Sequence, residues 1–139
     1  MPLAPFAQRH LQRLLNRRRD AFERGRAAFN TQWEAEESRV RAQIVGARER
    51  LPEVEVSDAA LEWAARLCLR LGADGLRGEL TLVRAARAIA ALEGAKTVDD
   101  SHLRKIAPAA LRHRLRRNPL DESGSTTRVE RAMGEVLAA

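Results

Sequence analysis

At 139 residues the chain is the length of one domain, enough to bury about two thirds of its unfolded surface in a single core. With 45% hydrophobic and 32% charged residues, three Phe, two Trp and no Tyr, the composition points away from a β-sandwich and toward an all-α bundle of about five to six helices with no sheet. A net charge of +6 invites a nucleic-acid partner, but the arginines are interleaved with glutamates along every predicted helix, the pattern of solvated faces carrying ion pairs.

The single cysteine, Cys68, lies in the apolar run Leu67-Cys68-Leu69, so no disulfide framework or zinc pattern can form within the chain, and a small buried thiol is expected. No apolar run approaches the length of a membrane span and no signal-peptide pattern occurs. The expected compartment is the cytoplasm, with no membrane partner.

Residues 1–16 form an N-terminal extension. It carries Pro2 and Pro5, then turns helical from Phe6, with Leu11, Leu14 and Leu15 at helical spacing. His10 has no partner at ligand spacing and reads as a solvent histidine. Gly25 interrupts the helix, and Thr31 with Glu34 fits a capping box. The helix that follows, to about Leu51 and ending before Pro52, sets Trp33, Glu37, Val40, Ile44 and Ala47 along one stripe. Trp33 is expected as a core anchor, and Glu34, Glu36 and Glu37 favour the positive end of the helix dipole.

Glu53 to Val56 reads as an extended connector, after which Ser57 is an N-cap. Leu61, Ala64, Ala65, Cys68 and Leu71 make the apolar face of the next helix, closed by Gly72. Three glycines, Gly72, Gly75 and Gly78, then bracket Arg77 where a loop becomes a helix that runs to Gly94. Backbone N–H groups and the helix dipole favour an anion at such a point, and a guanidinium adds a bidentate grip on phosphate oxygens. Arg84 returns to nearly the face of Arg77 at about 100° per residue, Arg87 is offset, and Leu82, Val83, Ala86, Ile89 and Ala90 take the buried side. A solvated basic face is the plainer reading of the same spacing. Asp74 could pair with Arg77 or simply form the turn.

Beyond Gly94, Thr97 to Asp100 opens a helix with Asp99 as N-cap, and Pro108 is expected to kink or split it. The basic run Leu111 to Arg117 is expected to stay helical until Asn118-Pro119. In that run dipole stabilisation and inter-subunit pairing rank above nucleic-acid contact, and His113, between arginines, is neither ligand nor base. Asp121 to Ser125 is a polar loop. Thr127 and Glu130 fit a second capping box before a last helix with Val129, Met133, Val136 and Leu137 along one face.

Several blocks carry a resemblance: Gly75-Leu76-Arg77-Gly78-Glu79-Leu80-Thr81-Leu82-Val83-Arg84, Ala91-Leu92-Glu93-Gly94, Val98-Asp99-Asp100, Ala107-Pro108-Ala109-Ala110-Leu111, His113 to Glu122, and Gly124 to Val129. Together they closely resemble the C-terminal helical (lid) domain of the AAA+ ATPase subunit I of magnesium chelatase, in family order, over residues 17–139. The block from Glu122 to Val129 favours the magnesium enzyme over a cobaltochelatase-like relative. The resemblance makes Arg77 the sensor-2 residue that contacts nucleotide phosphate. Asp74, Arg84 and Arg87 are candidates for supporting it or meeting a neighbouring subunit.

No Gly-x-x-x-x-Gly-Lys-Ser/Thr and no acid-tipped strand occurs, so the chain is not an ATPase on its own. It reads as an excised lid, a truncated gene product or half of a split subunit. ATP and Mg²⁺ are then met only through a partner core domain, and the chain has no catalytic or metal-binding residue of its own. The partners that the resemblance implies are a core of subunit I and the von Willebrand-type subunit of the chelatase, and indirectly its large porphyrin-binding subunit. Their joint work is the insertion of Mg²⁺ into protoporphyrin IX for (bacterio)chlorophyll synthesis. The alternative from another class is a small basic helical nucleic-acid-binding protein, whose affinity would fall steeply with salt.

Overall fold

The computed structural model describes residues 5–73, 75–115 and 124–138. The chain divides into two compact units, Met1–Ala42 and Gln43–Ala139. Helix α1 spans Pro5–Arg24 and α2 spans Arg26–Arg50, followed by a 3₁₀ turn, Leu51–Glu53. Strand β1 (Glu55–Val56), α3 (Asp58–Leu71), α4 (Gly75–Glu93), β2 (Thr97–Val98), α5 (Asp100–Leu111) and α6 (Ser125–Ala138) complete the order. The all-α class holds with one addition to the expected sheetless bundle. Glu55 and Val56 pair in parallel with Thr97 and Val98, strands too short to show any alternation in the sequence.

In the first unit the guanidinium of Arg18 lies 4.3 Å from the Trp33 ring centroid. Phe22 meets Phe29 edge-on at 5.5 Å, and Phe29 meets Trp33 at 5.8 Å. Residues 18 and 33 would be about 22 Å apart along one straight helix, so the chain doubles back at Gly25. The expected Thr31 cap is not formed. Thr31 lies inside α2, and its Oγ1 donates to Ala27 O at 3.1 Å, the back-bond of a mid-helix threonine. The expected α2 stripe is also mostly open: Ala47 is buried, but Val40 and Ile44 are 40% and 49% exposed. Periodicity says which residues share a face, not whether anything meets it.

The second unit holds the core. Ser57 caps α3, its Oγ accepting the Ala60 amide at 3.2 Å. Ala60, Trp63, Ala64, Leu67, Cys68 and Leu71 form the buried face of α3. Leu61, expected inside, is 39% exposed, and Ala65 only half-buried, whereas Trp63 is buried. Leu82, Ala86, Ala90 and Ala91 of α4 are buried, with Val83 and Ile89 half-buried. Leu103, Ala107 and Leu111 of α5 and Val129 and Ala132 of α6 close the core. So many alanines at the seams let helix axes approach closely while the leucines fill between them.

Asp99 caps α5 as expected, its Oδ1 accepting the amides of Ser101 at 2.9 Å and His102 at 3.2 Å. Pro108 does not split α5, which continues to Leu111, where the Arg112 amide bonds back to Pro108 O. Beyond it, Arg112 to Leu115 form turns and a bend rather than the expected helix. Arg116, Arg117, the Asn118-Pro119 stop and the loop from Asp121 to Ser123 lie outside the described residues. Helix α6 begins at Ser125, so Thr127 and Glu130 fall inside it and do not cap.

Candidate functional site

The geometry that presents Arg77 begins at the end of α3. Gly72 takes the left-handed conformation (φ 60°, ψ 31°), its amide bonding to Leu69 O and that of Ala73 to Cys68 O, at 3.1 Å each. This closure satisfies the last carbonyls of α3 and reverses the chain without the Cβ penalty. Asp74 lies outside the described residues. Three residues into α4, Gly78 is buried, and a Cβ there would lie 3.2 Å from Ala73 Cβ, 3.7 Å from Cys68 Sγ and 3.8 Å from Leu111 Cδ2. The second glycine of Gly75-Leu76-Arg77-Gly78 therefore lets α4 seat tightly on the ends of α3 and α5. Arg77, one residue before it, is turned outward.

Arg77 is exposed in the first turn of α4, and its carbonyl accepts Thr81 Oγ1 at 2.7 Å. Its guanidinium makes no hydrogen bond or ion pair with any described residue. Arg84 is likewise exposed and unpaired among the described residues, on the same face. Beside them stand two exposed leucines, Leu76 just before Arg77 at 73% and Leu80 between the two arginines at 49%. The positive end of the α4 dipole, two guanidiniums unpaired among the described residues and two bare leucines thus lie in the same stretch of helix.

Arg87 does something else. Half-buried, it donates from Nε to Val54 O and from a terminal nitrogen to Leu51 O, both at 3.1 Å, tying α4 to the 3₁₀ turn before β1. Arg50 repeats the device one turn further along α4, donating twice to Ala91 O, at 3.0 and 3.2 Å, beside the Gly94 closure (φ 76°). Sequence reasoning had no signal for Arg50, because its acceptor lies 41 residues away. It also had none for His102, buried at 4% exposure in α5. His102 Nδ1 accepts the Asp99 amide at 3.0 Å, and Nε2 faces Glu93 Oε2 at 3.5 Å. Asp99 Oδ1 stands 2.8 Å from the same Nδ1. Lys105 completes the link, donating to Glu93 Oε1 at 2.7 Å.

Burial, and then the Glu79 carboxylate, push the Cys68 thiol up to about 11, so it packs rather than reacts. His113 Nε2 accepts from Arg112 Nε at 3.0 Å. Among the described residues no cluster of three or more His, Cys, Asp or Glu could hold a metal ion. No described helix is long and apolar enough to cross a membrane.

The AAA lid domain family matches residues 61–132, and the chain belongs to it. The similar full-length proteins are narrower in kind. The magnesium-chelatase 38 kDa subunit of Acidiphilium rubrum is 60% identical over 122 residues, covering 88% of this chain and 35% of that protein. That of Cereibacter sphaeroides is 56% identical over 120 residues, covering 86% and 36%. Among solved structures, the complex between subunits BchI and BchD of magnesium chelatase matches at 46% identity and a TM-score of 0.43, over 88% of this chain and 36% of that one. The chain spans about a third of the length of the curated relatives it matches.

Proposed function

We propose that this domain is the sensor-2 lid of a magnesium-chelatase-type ATPase subunit. It couples the nucleotide state of an AAA+ core of subunit I to assembly with a BchD-type subunit. Through that assembly it is linked to Mg²⁺ insertion into protoporphyrin IX on the porphyrin-binding subunit. The observation that carries the reading is the free guanidinium of Arg77 at the N-terminal turn of α4, beside the exposed Leu76 and Leu80. An arginine already paired within the domain, as Arg87 is, would have to break its bonds to reach a phosphate. Among the described residues Arg77 has none to break.

ATP with its Mg²⁺, held by a core, supplies the phosphate charge and the energy of hydrolysis. The chain's own part is to bring a fixed cation to that charge. Leu76 and Leu80 would cover the core's surface around the contact, so that lid position follows the charge of the bound nucleotide. A second open surface supports docking on a larger body. Ile44, Leu51, Ala88, Ile89 and Leu92 line an apolar groove of about 340 Å³ between the end of α2 and α4. Arg84 stands on the Arg77 face as a contact for a neighbouring subunit or a carboxylate.

Charge-assisted hydrogen bonds of this kind contribute roughly 1.5–3 kcal/mol. Replacing Arg77 by Ala is therefore expected to lower nucleotide-linked turnover about tenfold to a hundredfold. The experiment is MgATP hydrolysis by a subunit I core lacking its lid, titrated with this chain and in parallel with its Arg77→Ala variant. Saturable stimulation by the first and not the second is the expected result. Equal stimulation by both would remove Arg77 from the mechanism.

A further inference from the structure

A second gathering of arginines lies away from α4. Helices α3 and α6 pack side by side, and a cleft of about 640 Å³ opens along their outer seam, lined by Arg66, Leu69, Arg70, Glu135 and Val136. Adjoining it, and sharing Arg70 and Glu135, is a hollow of about 160 Å³ that adds Arg128 and Arg131. Among the described residues, four arginines and one glutamate line the two hollows. Arg70 Nε donates to Glu135 Oε2 at 2.5 Å, while Arg66 and Arg131 are exposed and pair with no described residue. In the same cleft Leu69 is 81% exposed, the barest large apolar side chain among the described residues, and Val136 lies beside it.

The geometry points to a docking site for an acidic amphipathic helix of a partner protein. Its carboxylates pair with Arg66, Arg70 and Arg131, and its apolar side covers Leu69 and Val136. The charge is complementary at both ranges, since the seam is basic and the whole chain carries +6, which speeds encounter with an acidic partner. A nucleic-acid strand fits the seam less well. No aromatic ring lines it for base stacking, Glu135 would repel phosphates, and the apolar pair would stay uncovered. The site lies on α3 and α6, whereas Arg77 is on α4, so the two bindings are separable.

The probe is a fluorescein-labelled amphipathic helix composed of Glu, Ala and Leu, followed by fluorescence anisotropy with the intact chain. Saturable binding that weakens with added salt is expected. The double variant Arg66→Glu/Arg131→Glu should raise Kd at least about tenfold, and Leu69→Ala at least about threefold. Arg77→Ala should leave Kd unchanged. All these positions are exposed, and an unchanged thermal midpoint verifies the fold of each variant. Equal affinity for the double variant overturns the proposal. So does equally tight binding of a peptide with every Leu replaced by Ser, and so does complete displacement of the probe by a single-stranded oligonucleotide at lower concentration than by unlabelled peptide.

Discussion

At the scale of single residues, the guanidinium of Arg87 reaches two carbonyls inside the domain while that of Arg77 reaches none among the described residues. Removing Arg87 leaves Leu51 O and the carbonyl of buried Val54 without their charged donor. Arg87→Ala should therefore destabilise the domain by about 2 kcal/mol, a fall in thermal midpoint on the order of 10 °C. Arg87→Lys should recover only part of this, since a point charge cannot span both acceptors. Differential scanning calorimetry on the variants decides it. Cys68 supplies a second check at this scale. With its thiol held near 11, alkylation by iodoacetamide at about pH 8 should be far slower in the native chain than in guanidinium chloride. Equal rates would place the sulfur outside the core.

At the scale of elements, the start of α4 depends on the missing side chain at Gly78. A methyl group there would lie 3.2 Å from Ala73 Cβ, tighter than most packed Cβ contacts, so Ala73 must give by a few tenths of an ångström and Gly78→Ala should cost about 1 kcal/mol or more. It should also weaken nucleotide-linked stimulation together with stability, whereas Arg77→Ala spares stability. Urea unfolding of both variants separates these cases. The cap of α5 predicts a pH dependence. Bonds from the Ser101 hydroxyl, then from the His102 amide, hold Asp99 below its ordinary 3.8. A group whose folded value is depressed contributes stability that is complete above its unfolded value and is lost as pH falls through the folded one. The Asp99 contribution should thus be constant near neutrality and fade below about pH 4. In Asp99→Asn, whose amide oxygen still caps, that part of the acid-side loss should be absent from the unfolding curve.

At the scale of the whole molecule, every buried core residue among the described ones lies between Ala47 and Ala132. The first unit instead rests on Phe22, Phe29 and Trp33 with Arg18 over the indole, and its ion pairs, Arg19–Glu23 and Arg39–Glu36, are exposed and contribute little. A chain beginning at Gln43 should therefore fold and unfold cooperatively, with a thermal midpoint within a few degrees of the full chain. Circular dichroism melts of the two would show it. A non-cooperative melt of the shorter chain would mean that the first unit is needed for the core.

Much of this architecture was legible because it is local. Ser57, Gly72, Gly94 and Asp99 bound their helices by chemistry confined to a few neighbouring residues, and the Leu82, Ala86, Ala90 face follows from helical period alone. The blocks around Arg77 also carried the family. Local signals misled where a residue pattern admits two uses: Thr31 and Thr127 resemble caps but lie within helices, and the α2 stripe has the right period with little to cover it. What only the tertiary structure decided are the long-range choices. Arg50 and Arg87 find acceptors more than 30 residues away, His102 closes a cap that no spacing rule names, and Glu55 and Val56 pair across α3 and α4 with β2. Helix period and capping act within one or two turns of backbone. Which of several similar arginines is held inside and which is left free for a partner depends on where distant carbonyls come to rest.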